Sequence, residues 1–191
     1  MIYAVSAVSA VLVLILGYFL PWVITPLVIG LTYAIAALGV SVMMRAGQVS
    51  FGHAMYACIA AYTVAFIARA YPGTDTITLI VAGVLTATAA SAVIGVFMVR
   101  YRGIFFGMLN LALSMVLFAL LGKLYHITGG TDGLRIERPP FLGMELARGP
   151  YEYLLLILAL IIALALAWWV QRYFRSGNGA ALAAKIGRAH V

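Results

Sequence analysis

Residues 154–169 read LLLILALIIALALAWW, an unbroken apolar run, and its reading decides the fold. A strand of a membrane β-barrel alternates apolar and polar residues over about ten positions. No such alternation is present, and with its flanks the run fills residues 151–170, close to the roughly 20 apolar residues a helix needs to cross about 30 Å of hydrocarbon.

Working outward from this run, five further segments have the same character: residues 1–20, 23–44, 50–68, 77–99 and 104–121. The expected fold is therefore all-α, a polytopic transmembrane bundle of about six helices. Composition agrees. Of 191 residues, 65% are hydrophobic and 9% charged, against about 25% charged in a soluble domain, and the mean hydropathy is +1.11. A chain this short cannot hide so much apolar surface in one core, so lipid must be its main solvent.

The net charge of +7 would suit a nucleic-acid binder if the basic residues formed a stripe. They stand instead at the ends of apolar runs, as membrane orientation requires, and no nucleic-acid partner is expected. With the N-terminus inside the cell, Arg45, Arg100, Arg102, Arg172 and Arg175 fall on the cytoplasmic side. Asp75, Asp132, Glu137, Glu145 and Glu152 then fall outside with Arg69, Lys123, Arg135, Arg138 and Arg148. The first twenty residues carry no Lys or Arg, so they read as a retained span rather than a cleaved signal.

Pro21 and Pro26 bracket the first connection, and Tyr71, Pro72, Gly73, Thr74 and Asp75 punctuate the third. The one long connection, residues 122–150, reads as an extramembrane loop. Its Thr128, Gly129, Gly130, Asp132 and Gly133 suggest a turn. His126 and Asp132 are too few for a metal site, which takes three or four ligands; no metal and no cofactor are expected. No phosphate-binding glycine loop occurs, so any ATP-driven step belongs to another subunit.

Two stretches could carry function. Residues 47–53 (GQVSFGH) follow Arg45 and hold Gly47, Gln48, Ser50, Gly52 and His53. Irregular backbone at membrane depth is tolerated where protein or a water-filled cavity satisfies it, which makes this a pathway or hinge candidate. The alternative is an interfacial turn in which Ser50 caps the next helix. In the fifth span, Asn110 and Ser114 lie four apart on one face. They suit either hydrogen bonding between helices, with Gly103, Gly107 and Ala112 permitting close approach, or contact with a solute. Rival readings are an intramembrane enzyme using His53, Cys58 or His126, which lacks an acidic partner inside any span, and a non-functional fragment; no catalytic residue is assigned.

Residues 47–63 (GQVSFGHAMYACIAAYT), 102–115 (RGIFFGMLNLALSM) and 127–134 (ITGGTDGL) resemble, in order and spacing, the LivM-type permeases of branched-chain amino-acid ABC importers. Tyr56 stands where that family usually has Phe, Phe105 where it has Tyr, Gly107 for Ala and Asn110 for Thr. The resemblance implies a non-enzymatic permease subunit for branched-chain or other hydrophobic amino acids in a bacterial or archaeal plasma membrane. Urea, short amides or another small solute are the alternative cargo.

The implied partners are a second homologous permease in a heterodimer, two cytoplasmic ATP-binding subunits and a periplasmic or extracellular amino-acid-binding protein. Ser176, Gly179, Ala181, Leu182 and Ala184 resemble the start of the family's ATPase-docking segment, with Ala180 in place of its Arg. Residues 1–184 are then expected to be the front part of a longer permease. Residues 185–191 (KIGRAHV) are the translation of AAG ATC GGA AGA GCA CAC GTC, which resembles a sequencing-library adapter, and are expected to be foreign to it.

Overall fold

The computed structural model describes residues 2–101 and 103–176, and within them all side chains except those of residues 2–8 and 131. Arg102, expected on the cytoplasmic side, lies outside the described residues, as do Gly179, Ala181, Leu182, Ala184 and the whole 185–191 segment. All regular elements among the described residues are helical: α1 (Ile2–Phe19), α2 (Ile24–Arg45), α3 (His53–Ala70), α4 (Thr76–Met98), α5 (Ile104–Lys123), the single turn α6 (Tyr125–Thr128) and α7 (Arg148–Arg175).

Five of the expected six spans are long and apolar enough to cross a bilayer over their described residues: Pro21–Arg45, His53–Ala70, Thr76–Met98, Ile104–Lys123 and Arg148–Arg175. The first expected span corresponds to α1, of which Ser9–Phe19 forms a shorter apolar helix. At 1.5 Å per residue the 28 residues of α7 extend about 42 Å, so the helix outruns the hydrocarbon.

The helix ends follow from local chemistry. Pro21 opens a 3-10 turn, Pro21–Val23. Pro26 sits in the first turn of α2, where a missing N–H costs nothing. Gly47, at φ 72°, stops α2 in the left-handed conformation and donates its N–H to the Met44 carbonyl at 3.0 Å. Asp75 caps α4, its Oδ2 accepting from the Ile77 N–H at 3.1 Å.

The chain divides into two compact units, residues Met1–Gly47 with Leu146–Val191, and Gln48–Glu145. In the first, α7 packs on α1 and α2. Leu156 is fully buried against Gly17, where an added Cβ would come within 2.7 Å of Leu156 Cδ2. The Tyr153 hydroxyl donates to the Leu14 carbonyl at 3.4 Å. In the second unit α3 and α4 form an antiparallel hairpin. Gly83 brings α4 against Ala60 and Val64 of α3, and Met55, Ala65, Leu79 and Met98 are buried.

Outside these seams the helices present large apolar side chains to the surroundings: Val93, Val96, Val116 and Phe118 are all exposed. Soluble monomers do not display contiguous surfaces of this kind. Helices bathed in lipid do.

Candidate translocation site

The loop at residues 48–52 is irregular, as its composition suggested, and α5 gives it a seat. Gly107 of α5 is buried, and a Cβ built there would lie 2.9 Å from the Val49 carbonyl oxygen and 3.4 Å from the Phe51 ring. Only a residue without a side chain lets the loop backbone come this close to the helix. One turn further along α5, Asn110 meets Gly52 in the same way: a Cβ on Gly52 would fall 2.9 Å from Asn110 Oδ1 and 3.1 Å from Asn110 Cβ. The two glycines, 107 and 52, are the contact surfaces of loop and helix.

Asn110 is 2% exposed, and its Oδ1 is a buried side-chain oxygen with no hydrogen-bond partner among the described residues. Leaving such an acceptor unpaired costs about 1–3 kcal/mol. Gly52 is the N-terminal flanking residue of α3 and brings no capping side chain. Ser50 does not cap the helix; its Oγ accepts only the Gly52 N–H, at 3.4 Å. The positive end of α3 and an unpaired acceptor from α5 thus lie side by side within one unit.

Ser114 behaves differently from Asn110. It is half-buried and donates to the carbonyl of Asn110 at 2.9 Å, a bond within its own helix. Among the described residues neither makes a side-chain hydrogen bond to another helix. His53 begins α3 and is half-buried, Gln48 is half-buried, and Gly47 closes the first unit as the stop of α2.

The expected turn after the fifth span exists and is more tightly organised than its composition suggested. Thr128 is buried; its hydroxyl faces the carbonyls of Leu121 (2.7 Å) and Leu124 (3.0 Å) and accepts the Gly130 N–H at 3.1 Å. Gly129, Gly130 and Gly133 all take positive φ. The Tyr125 hydroxyl donates to Asp132 Oδ2 at 3.4 Å. This turn is tied to α3 where the Tyr62 hydroxyl donates to the Thr128 carbonyl at 3.3 Å. Tyr62 lies nine residues beyond His53, about 14 Å along the helix axis, so the turn and the loop occupy different levels of α3.

Several anchoring residues were missed in the sequence. Asp75 accepts from the Gly143 N–H at 3.2 Å while capping α4, and Thr76 holds the Pro140 carbonyl with both N–H and hydroxyl at 2.9 Å. These bonds fasten the long loop to the start of α4. The signal was the Asp-Thr pair before an apolar run, but nothing in the sequence names a partner more than sixty residues away. Among the described residues no group of His, Cys, Asp and Glu is placed to hold a metal. Of the expected ATPase-docking residues Ser176 alone is described; it ends α7, its hydroxyl donating to the Tyr173 carbonyl at 2.6 Å.

Long apolar helices, short connections and a polar loop seated on one of them define a multi-pass membrane protein. The chain belongs to the family of permease components of branched-chain amino acid transport systems, which it matches over residues 22–180. Membership makes it a transport component rather than an enzyme. It is 31% identical over 122 residues to the high-affinity branched-chain amino acid transport system permease protein LivM of Escherichia coli (strain K12), an alignment covering 63% of this chain and 28% of that protein. The chain therefore spans much less than the length of this curated relative. No solved structure matches it.

Proposed function

We propose that the protein is the front part of a permease subunit of an ATP-driven importer for branched-chain or other hydrophobic amino acids, and that the loop at residues 47–53 together with Asn110 and Ser114 of α5 lies on the translocation pathway. The observation that carries this reading is the buried, unpaired Asn110 Oδ1 beside the N-terminal end of α3. A polar group at membrane depth is costly and is retained where a solute or cavity uses it.

In this reading, transport is a rearrangement of packed helices between outward-open and inward-open states. The loop slides on its glycine seat as that happens. ATP binding and hydrolysis reside on two partner subunits, a second permease completes the pore, and an external binding protein delivers the solute. The basic helix ends at Arg45, Arg172 and Arg175 support a cytoplasmic N-terminus. The turn at Thr128, Gly129, Gly130, Asp132 and Gly133 is then external, and Ser176 faces the ATPase.

The test is uptake by the full-length permease, expressed with its neighbouring permease, ATPases and binding protein in membrane vesicles. ATP-dependent accumulation of labelled leucine, lost in Asn110→Leu and kept in Asn110→Thr, supports the reading. Accumulation of urea without leucine replaces the cargo, and leucine uptake indifferent to Asn110→Leu removes the site.

A further inference from the structure

The long connection of the second unit carries a strained segment that the transport reading does not use. Residues 141–144 (FLGM) fold back as a two-residue turn, with Phe141 buried and Leu142 at the tip. Leu142 has φ 52°, where the Cβ of an L-residue crowds the following carbonyl. Among the described residues it is the one non-glycine residue with positive φ. Asn, Asp and Gly fit such a position and suit water. Here an apolar side chain stands instead, 64% exposed, and Met144, two residues on, is 56% exposed.

The depth of this turn is set by α4. Thr76 holds the Pro140 carbonyl at 2.9 Å through both N–H and hydroxyl, and Asp75 Oδ1 accepts the Gly143 N–H at 3.2 Å. Leu142 lies between these two fastenings, its Cα about 3.8 Å from that of Gly143. It therefore stands level with the N-terminal end of α4, whichever face of the membrane that end reaches. The 23 residues of α4 extend about 34 Å, little more than the hydrocarbon thickness, so the helix end lies at the boundary of acyl chains and head groups. Tyr71 is tied to the same level by the Thr74 N–H, which donates to its carbonyl at 3.2 Å. Its ring is exposed, as aromatic residues at the membrane interface are. The lipid-facing surface of α4 begins just inside this level with Ile77 and Val81.

We propose that residues 141–144 are an interfacial anchor: Leu142 and Met144 insert among the head-group ends of the acyl chains of the surrounding bilayer, held at that depth by Asp75 and Thr76. The choice of lipid as occupant rests on this depth and on continuity with the lipid-facing surface of α4. A soluble protein partner would meet the connection from water, where its charged residues Arg135, Glu137 and Arg138 are exposed ahead of Pro139. Glu145 follows the turn and is exposed as well, which keeps the patch at the boundary and out of the hydrocarbon centre. Apolar side chains at this level enter the layer to about 5–10 Å. The strain at Leu142 is then part of the device, because the Asn that would relieve it would put a polar group into that layer.

The chain has a single cysteine, Cys58, so in Cys58→Ala one added cysteine carries a nitroxide at a chosen site. In phosphatidylcholine vesicles the readout is the ratio of its collisions with oxygen, which concentrates in acyl chains, to those with a water-soluble nickel chelate. Glu137→Cys gives the water reference, and Val84→Cys, about 12 Å along α4 from its start, the hydrocarbon reference. Leu142→Cys is expected to show a ratio about threefold above the water reference and below the hydrocarbon reference. With the label moved by Met144→Cys, adding Leu142→Gln is expected to lower the ratio about twofold, and adding Leu142→Phe to leave it unchanged. Helical circular dichroism equal to the parent's shows that each variant is folded. A ratio at position 142 equal to the water reference, collisions with both reagents suppressed there by a covering protein surface, or a ratio at position 144 indifferent to Leu142→Gln would each overturn the proposal.

Discussion

Gly52 and Asn110, fifty-eight residues apart in sequence, are in direct contact: a Cβ on the glycine would lie 2.9 Å from the Asn110 side-chain oxygen. The contact joins the irregular loop to α5 and places an unpaired acceptor at the start of α3. It is steric, since Gly52 has φ −90°, which any residue can adopt.

Gly52→Ala is therefore expected to destabilise the protein by about 1–3 kcal/mol through overpacking. Asn110→Ala in the same chain should recover part of that loss, because it removes the nearer of the two clashing groups. A double-mutant cycle from thermal unfolding in detergent reads the coupling. Additive losses would mean that the two residues do not meet.

Gly107→Ala should also destabilise by about 1–3 kcal/mol, because the new methyl would press on the Val49 carbonyl. Gly95 of α4 is the control: nothing lies within 4 Å of its Cβ position. There the same substitution should stabilise by up to about 1 kcal/mol through helix propensity alone. Opposite signs in the two melts check the loop's seat against the general effect of removing a helical glycine.

Asp75→Ala removes a helix cap and a loop anchor together. The expected cost is about 0.5–2 kcal/mol, with faster hydrogen exchange at the Gly143 amide. Asp75→Asn keeps one carbonyl oxygen and should fall between the two. Unchanged exchange at Gly143 would show that the anchor does not hold in solution.

Leu142, at φ 52°, is a non-glycine residue held in the left-handed region. With Gly143 at φ 75° it forms the two-residue turn between Phe141 and Met144, whose backbones exchange hydrogen bonds at 3.0 Å. Such turns favour Asn, Asp and Gly. Leu142→Asn should stabilise by about 1 kcal/mol, read as a rise in unfolding temperature.

The sequence determined much of this protein by itself. Apolar runs of spanning length with no two-residue alternation leave the helix as the one way to satisfy the backbone in lipid, so α2, α3, α4, α5 and α7 were legible within a few residues. The largest shift was at the end of α7, expected at Val170 and found at Arg175; α3, expected from Ser50, starts at His53, because Ser50 bonds only Gly52 and the loop runs on. Glycine and proline marked the connections for local reasons. The family was legible too, through three short blocks whose residues keep their order.

Tertiary structure decided which polar residues matter and what they face. Asn110 and Ser114 read alike in sequence, four apart on one helix face. In the folded unit Ser114 spends its hydroxyl on the carbonyl one turn back, while Asn110 is buried against Gly52 without a partner. The bonds of Asp75 and Thr76 to the distant loop were invisible for the same reason. Helix formation depends on neighbours a few residues away, which a sequence displays directly. A buried contact depends on which faces of distant helices meet, and that is settled only when side-chain volumes are packed together.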